Sequence, residues 1–362
     1  MADVLVIGGG VIGCSVAYEL ASRHHARVTV LERAVPGAEA SSAAAGILGA
    51  QIESHGVPSD RALFDLMLAS RERHRELDAR LTEAVGFGTG FRRCGVLRVN
   101  GRREDYAWQS APVIELTRQE ALRLEPALTP SLTSAIHLPD EAQVDPPQLL
   151  RALQQACAKY GVIFRTGTTV RGVTREGVDT EEGLLRGDAI VVAAGSWSSM
   201  IAGLPERLRR VRPVRGQIVQ VDTRPPIVRS VVFGDHGYIV ARPDGRTLLG
   251  STMEEVGHIK EVTAGGIHKV LMHALELVPS LADAPVTGTW CGFRPATSEE
   301  RPLIGQIPGT PIFIATGHHR NGVLLAPETA RLVADLVATG SCDRDLAPFS
   351  PEAFEDRGDV LR

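Results

Sequence analysis

A glycine-rich turn between an apolar strand and a helix dominates the start of this chain. Asp3-Val4-Leu5-Val6-Ile7 reads as a buried strand, Gly8-Gly9-Gly10-Val11-Ile12-Gly13 opens a stretch of helical spacing, and a second apolar run over residues 27–31 ends at Glu32. Each glycine has a separate reason to be there. Gly8 permits the tight turn, Gly10 lets the backbone approach a pyrophosphate, and Gly13 lets the helix pack against the sheet with its N-terminus aimed at negative charge. Glu32 is placed to accept from ribose hydroxyls, and its charge would repel a 2'-phosphate, which argues against NADP. Glycines at this spacing also occur in ordinary turns; the strand before, the helix after and the acid at the end of the second strand give the pattern its meaning. The motif predicts a Rossmann-like dinucleotide fold without choosing the dinucleotide.

Bulk properties exclude several alternatives. A chain of 362 residues exceeds one typical core, so two domains are expected. Net charge is -4, from 39 basic and 43 acidic residues spread along the chain, and no basic stripe suited to nucleic acid emerges. The lysines, Lys159, Lys260 and Lys269, leave few candidates for Schiff-base chemistry. Cys14, Cys94, Cys157, Cys291 and Cys342 are scattered, with neither zinc spacing nor a disulfide framework, which suits a reducing cytoplasm. No run approaches the ~20 apolar residues of a membrane helix, and the first apolar run, broken by glycine and lacking a basic lead, reads as strand and turn rather than signal peptide.

Further along, residues 41–49 (Ser41, Ser42, three alanines, Gly46, Ile47, Leu48, Gly49) are almost all small, which lets a backbone lie against a flat ligand. The same composition also suits tight helix packing. Residues 61–84 carry apolar positions at helical spacing, with Asp60 as N-cap and Gly86 as stop. Strands are expected over 95–99, 134–138, 162–165, 168–173, 188–194 and 211–221, and a helix begins at Asp145-Pro146 and ends at Gly161. Residues 229–240 and 246–250 suggest an antiparallel pair around Pro243-Asp244-Gly245. Residues 265–277 read as helix, 289–293 as extended, 311–316 as a last buried strand, and 327–338 as a closing helix stopped by Gly340. No internal repeat or linker separates the domains, so they are expected to interleave.

Taken together, the segments Gly8 to Gly13, Ser41 to Gly49, Ala194-Gly195-Ser196-Trp197, Arg212-Pro213-Val214-Arg215-Gly216-Gln217, Asp235-His236-Gly237-Tyr238-Ile239-Val240, Gly292-Phe293-Arg294-Pro295 and Gly317-His318-His319-Arg320-Asn321-Gly322 resemble the D-amino-acid oxidase superfamily of flavoenzymes, most closely its bacterial glycine oxidases of thiamine biosynthesis. The resemblance implies non-covalent FAD, a mixed α/β and α+β fold, and a Rossmann-like FAD-binding domain beside a substrate domain built on an antiparallel sheet. Its boundaries would be 1–85, 142–212 and 296–362 for the first and 86–141 and 213–295 for the second. The implied cofactor residues are Gly8, Gly10, Val11, Ile12, Gly13, Glu32 and Arg33; Ser41, Ser42, Ala45, Gly46, Ile47 and Leu48; Val170; Ala194, Gly195 and Trp197; and His318, His319, Arg320, Asn321, Gly322, Val323 and Leu324. A homo-oligomer, specifically a tetramer, is also implied.

The resemblance assigns Arg294 as the carboxylate clamp, because a planar bidentate guanidinium can hold an amino acid with its α C–H toward flavin N5. Tyr238 would donate to the same carboxylate. His236 and Arg320 match pocket-lining positions and are equally suited to structural hydrogen bonding. The implied reaction is hydride transfer from glycine, sarcosine or a short D-amino acid, with molecular oxygen as final acceptor; a dehydrogenase feeding a quinone or partner protein is the alternative. Several positions depart from the family pattern: Ile47 replaces methionine, Phe233 replaces tyrosine, Met253 stands where sarcosine oxidases place lysine, and Cys291 is one residue away from their flavin-attaching cysteine.

Overall fold

The computed structural model describes residues 2–54 and 60–351. The described residues divide into two compact units: those within 1–40, 150–213 and 294–351 form the first, and those within 41–149 and 214–293 the second. Each unit is assembled from separate stretches of the chain. The units are cut at other positions than those drawn from the sequence, since 41–85 and 142–149 cluster with the second, and the last residues of the expected 296–362 segment lie outside the described residues.

In the first unit a six-stranded sheet runs in the order Leu303–Gln306, Ile312–Thr316, Ala189–Val192, Asp3–Ile7, Arg27–Glu32, Ile163–Thr166. All neighbours are parallel except the first pair. Strands buried on both faces read as continuous apolar runs, and Ala189–Val192 and Ile312–Thr316 are buried at every position. Helix Val11–His24 follows the first strand and lies along the closing helix, Gly322–Thr339, with Arg23 and His24 both reaching Asp335. On the sheet, Leu5, Ile7, Ile190, Val192 and Ile314 share a core with Val173, Val178, Ile201 and Leu204.

The second unit is organised by an eight-stranded sheet whose central members include Arg212–Asp222, Arg246–Gly250, Tyr238–Ala241, Val231–Phe233 and Val96–Val99. Among these members, neighbours are antiparallel except where Val231–Phe233 runs parallel to Val96–Val99. Side chains alternate between faces along a strand. Leu97, Val219, Val232, Ile239 and Leu249 accordingly pack on one face with helix Ala264–Leu277, while Val96, Ile218, Val231, Val240 and Leu248 pack on the other with Ala45 and Ile52. Helix Arg61–Val85 starts and stops on its sequence signals: Asp60 accepts from the Leu63 amide at 2.9 Å, and Gly86 takes the left-handed conformation.

Two expectations are corrected. Residues 229–240 are not one strand, because Gly234 donates to the Gly237 carbonyl and closes a turn between Val231–Phe233 and Tyr238–Ala241. The strand expected over 168–173 is present as Val170–Thr174, which opens a separate three-stranded antiparallel sheet. The last helix begins at Gly322, not Pro327, so the proline sits in its second turn at the cost of one backbone hydrogen bond. Complete burial of residues 323–330 supplies the offset.

Candidate functional site

The first-unit turn is built as its glycines suggested. Gly8 has φ of 103°, and a Cβ there would lie 2.5 Å from the Ala193 carbonyl oxygen; a Cβ on Gly13 would lie 1.9 Å from the carbonyl oxygen of Gly8. Helix Val11–His24 is capped by Gly10 with no side-chain acceptor. Glu32 is fixed at both oxygens, Oε2 accepting from the Gly9 amide at 2.8 Å and Oε1 from Ala34 at 2.9 Å. An ionised carboxylate has about four acceptor sites, so room is left for ribose hydroxyls. Gly195 has φ of 55° and open space where its Cβ would be, while its carbonyl accepts from Ser198 at 2.8 Å and Thr316 at 3.1 Å. Arg33 lies 4.0 Å from the centre of the Trp197 ring, and Val170 is half-buried at the start of its strand. An uncapped helix N-terminus, a tethered acid and glycine backbone facing open space fit a dinucleotide.

Also within the first unit, the turn His319–Asn321 delivers a charged cluster. His319 is buried at φ of 46°, its Nε2 has no hydrogen-bond partner, and its Nδ1 lies 3.8 Å from Glu300. Burial, reinforced by the guanidinium charges of Arg320, Arg294 and Arg212, holds its pKa down to about 3. This imidazole is held neutral at neutral pH. His318 is likewise driven down to about 3 by burial alone and bonds Thr329 at 3.1 Å. Thus Arg294, half-buried near the end of strand Val286–Ala296, and exposed Arg320 act on one buried ring. Asn321, Gly322, Val323 and Leu324 carry that turn into the closing helix, where Val323 and Leu324 are buried.

In the second unit Tyr238 opens a strand with its ring tilted against Phe233, centroids 5.6 Å apart. Gly250, its ladder partner, makes the space: a Cβ there would stand 2.5 Å from the tyrosine hydroxyl. His236 is exposed in the turn before it, 5.1 Å ring to ring from His273. The small-residue segment places Ser41 and Ser42 in a short helix, then turns at Gly46 before Ile47–Leu48 pairs with Ala142–Gln143. Its backbone is anchored by residues the motifs did not single out: Trp290 donates to the Ala43 carbonyl at 3.0 Å and Arg242 to that of Ala45 at 2.6 Å. The only sequence signal for Arg242 is a charge ending an otherwise apolar strand. Past that strand, Gln51 donates its amide to Glu141 at 3.0 Å, and Arg71 meets the same carboxylate at 2.8 Å. Burial of Glu141, with Oε2 unpartnered, pushes its pKa up to about 7 against the pull of Arg71.

Among the described residues, no group of three or more His, Cys, Asp or Glu could hold a metal, and no helix is long and apolar enough to cross a membrane.

Residues 3–336 match the family model DAO, described as FAD dependent oxidoreductase. The chain is 36% identical to a glycine oxidase of Geobacillus kaustophilus over 96% of both proteins. It is 35% identical to a bifunctional protein ThiO/ThiG of Trichormus variabilis, covering 98% of this chain but 55% of that protein, about half its length. The crystal structure of the Geobacillus kaustophilus glycine oxidase superposes with a TM-score of 0.89 at 35% identity, over 97% of this chain and 98% of the other.

Proposed function

This chain belongs to the DAO family of FAD-dependent oxidoreductases, and on that premise we propose that it oxidises glycine and other small amines, including sarcosine and short D-amino acids, to a 2-oxo acid with release of ammonia or amine. That it is an FAD-dependent enzyme of amine oxidation follows from the family itself. The observation that carries the narrower reading is the buried His319, whose pKa burial lowers with help from the guanidinium charges of Arg320, Arg294 and Arg212, in the unit that carries the dinucleotide turn. Positive charge beside an imidazole held neutral suits a substrate carboxylate and imposes no further charge on the amine.

In this reading the first unit binds FAD without a covalent link and the second supplies the substrate pocket. Gly8, Gly10, Val11, Ile12 and Gly13 receive the pyrophosphate, Glu32 the ribose, and Arg33, Val170, Ala194, Gly195 and Trp197 flank the same end. Ser41, Ser42, Ala45, Gly46, Ile47 and Leu48 lie along the ring end with His318, His319, Arg320, Asn321, Gly322, Val323 and Leu324. Arg294 clamps the substrate carboxylate bidentately, and the Tyr238 hydroxyl donates to it. Holding the α C–H toward the acceptor converts an encounter into an oriented reaction. The chemistry bound FAD supplies is acceptance of a hydride at N5 and return of the two electrons to molecular oxygen, giving hydrogen peroxide. The substrate must enter as the neutral amine; no side chain is required as base, and water hydrolyses the imine product. Arg320 and His236 line the pocket.

A cytoplasmic homotetramer whose product serves thiamine biosynthesis completes the proposal. The test is anaerobic flavin absorbance with glycine, sarcosine and D-alanine in turn, followed by air and a peroxide assay. Bleaching by glycine with rapid recovery and peroxide is expected. Bleaching with negligible recovery in air would replace the oxidase with a dehydrogenase, and no bleaching by any of the three would overturn the substrate class.

A further inference from the structure

The path of Ser41–Gly49 is imposed largely from outside, since beyond its two serines it has no hydrogen-bonding side chain. Arg242 is the centre of that constraint. Its Nη2 donates to the Ala45 carbonyl at 2.6 Å and its Nη1 to Gln143 Oε1, while Gln143 Nε2 donates to the Ala241 carbonyl at 3.2 Å. The backbone of Gln143 is in register with Ile47. One guanidinium therefore holds the residue before the Gly46 turn and, through Gln143, the strand after it. Gly46 itself has φ of 76°, and a Cβ there would lie 2.2 Å from the Val144 carbonyl oxygen, so the bend between the two anchors admits no other side chain.

Arg242 is 3% exposed, and both of its acceptors are amide oxygens. Its guanidinium stays charged at neutral pH, with burial lowering its pKa to about 10 and Asp145 opposing that shift. Burying a cation against neutral acceptors is costly compared with an apolar side chain of similar volume. Stability alone is a poor reason for it.

We propose that Arg242 is a positioning residue for the flavin: by gripping Ala45 and Gln143 at one buried guanidinium, it fixes the curve along which Gly46, Ile47 and Leu48 present their backbone to the ring end. This rests on the reading above that residues 42–48 lie there. The experiment therefore pairs Arg242→Lys, Arg242→Met and Gln143→Met with Ile47→Tyr, which reports only whether the segment is beside the flavin. Each holoenzyme is measured for FAD release on dilution, the visible spectrum of the flavin that stays bound, and thermal midpoint.

The expected result is FAD release favoured about ten-fold or more in Arg242→Met, the size of one lost charged hydrogen bond, with displaced flavin bands and partial rescue in Arg242→Lys. Ile47→Tyr should displace the bands as well. A lower thermal midpoint with unchanged flavin bands in the Arg242 variants, while Ile47→Tyr displaces them, overturns the positioning role and leaves the placement of the segment standing. Unchanged bands in all four overturn both. Should Arg242→Met fail to fold, Arg242→Lys and Gln143→Met separate the same outcomes, since each removes part of the grip and keeps the charge.

Discussion

Two stretches of backbone that we propose lie against FAD are held in opposite ways. The turn at Gly8–Gly13 is secured by neighbours in sequence: Gly8 donates to the Leu31 carbonyl and Gly9 to the carboxylate of Glu32, 23 residues away. The segment at Ser41–Gly49 is secured from 197 and 247 residues away, by Arg242 and Trp290. A locally closed turn depends on its own glycines, whereas a remotely held segment depends on the sheet that carries its distant donors. Substitutions should therefore act on the first through backbone collision and on the second through loss of distant donors.

The largest effect is expected from Gly13→Val. A Cβ at that position meets the Gly8 carbonyl oxygen at 1.9 Å, a backbone atom that cannot rotate away. The helix must shift off the turn, at a cost of about 3 kcal/mol or more. Purified protein should be FAD-free and melt well below the wild type. Retention of stoichiometric flavin would show that the turn can yield, and would erase the contrast with the remote segment.

Arg294→Ala comes next and separates cofactor from substrate. Lying outside both stretches, it should leave flavin content unchanged. Losing a charged clamp should lower kcat/KM for glycine by about 3 kcal/mol, roughly 100-fold. Steady-state kinetics at matched flavin content decides; wild-type kinetics would take Arg294 out of the substrate's reach.

How legible each region is in the sequence follows from the same contrast. Gly8, Gly13 and Glu32 declare their roles within one strand-turn-helix-strand unit, as do Asp60 and Gly86 at the ends of their helix, because caps and tight turns are short-range devices. Arg242, Trp290 and Gln143 carry no such signal: each is an ordinary residue until the sheet brings it to the segment. The departures from expectation have the same origin. Pro327 is an apt helix-start residue by local rules, yet burial of residues 323–330 carries the helix back to Gly322. The Gly234–Gly237 turn is the exception, since Gly234-Asp235-His236-Gly237 is itself a local turn signal within the run.

The units should also differ in their response to pH. In the first, His318 and His319 are buried neutral with pKa values pushed down to about 3 from an ordinary 6.5. Between those values the unfolded chain binds more protons, so their stabilising contribution is complete above about pH 6.5 and is lost as the pH falls toward 3. In the second, Glu141 is pushed up to about 7 from 4.5. Here the folded chain keeps a proton that the unfolded chain releases, so the contribution is complete below about pH 4.5 and is lost as the pH rises through 7. Thermal midpoints of wild type, His319→Phe and Glu141→Gln across that range should show the acid-side slope reduced in the first variant and the neutral-side slope reduced in the second. Parallel profiles for all three would remove this difference between the units.

The smallest effect tests whether a local device in the second unit behaves like those in the first. Asp60 accepts from the Leu63 amide at 2.9 Å at the head of the long helix Arg61–Val85. Asp60→Ala removes an N-cap, about 1 kcal/mol, while the helix keeps its buried face at Phe64, Met67, Leu77 and Leu81. The unfolding free energy from denaturant titration should drop by that amount, with flavin bands and turnover unchanged. The cap is a short-range bond at one end of a helix whose other attachments stay in place, so its loss should not reach Ala45. A displaced flavin spectrum in Asp60→Ala would mean that the head of this helix also steers the segment, and that the segment's constraint is wider than Arg242, Gln143 and Trp290.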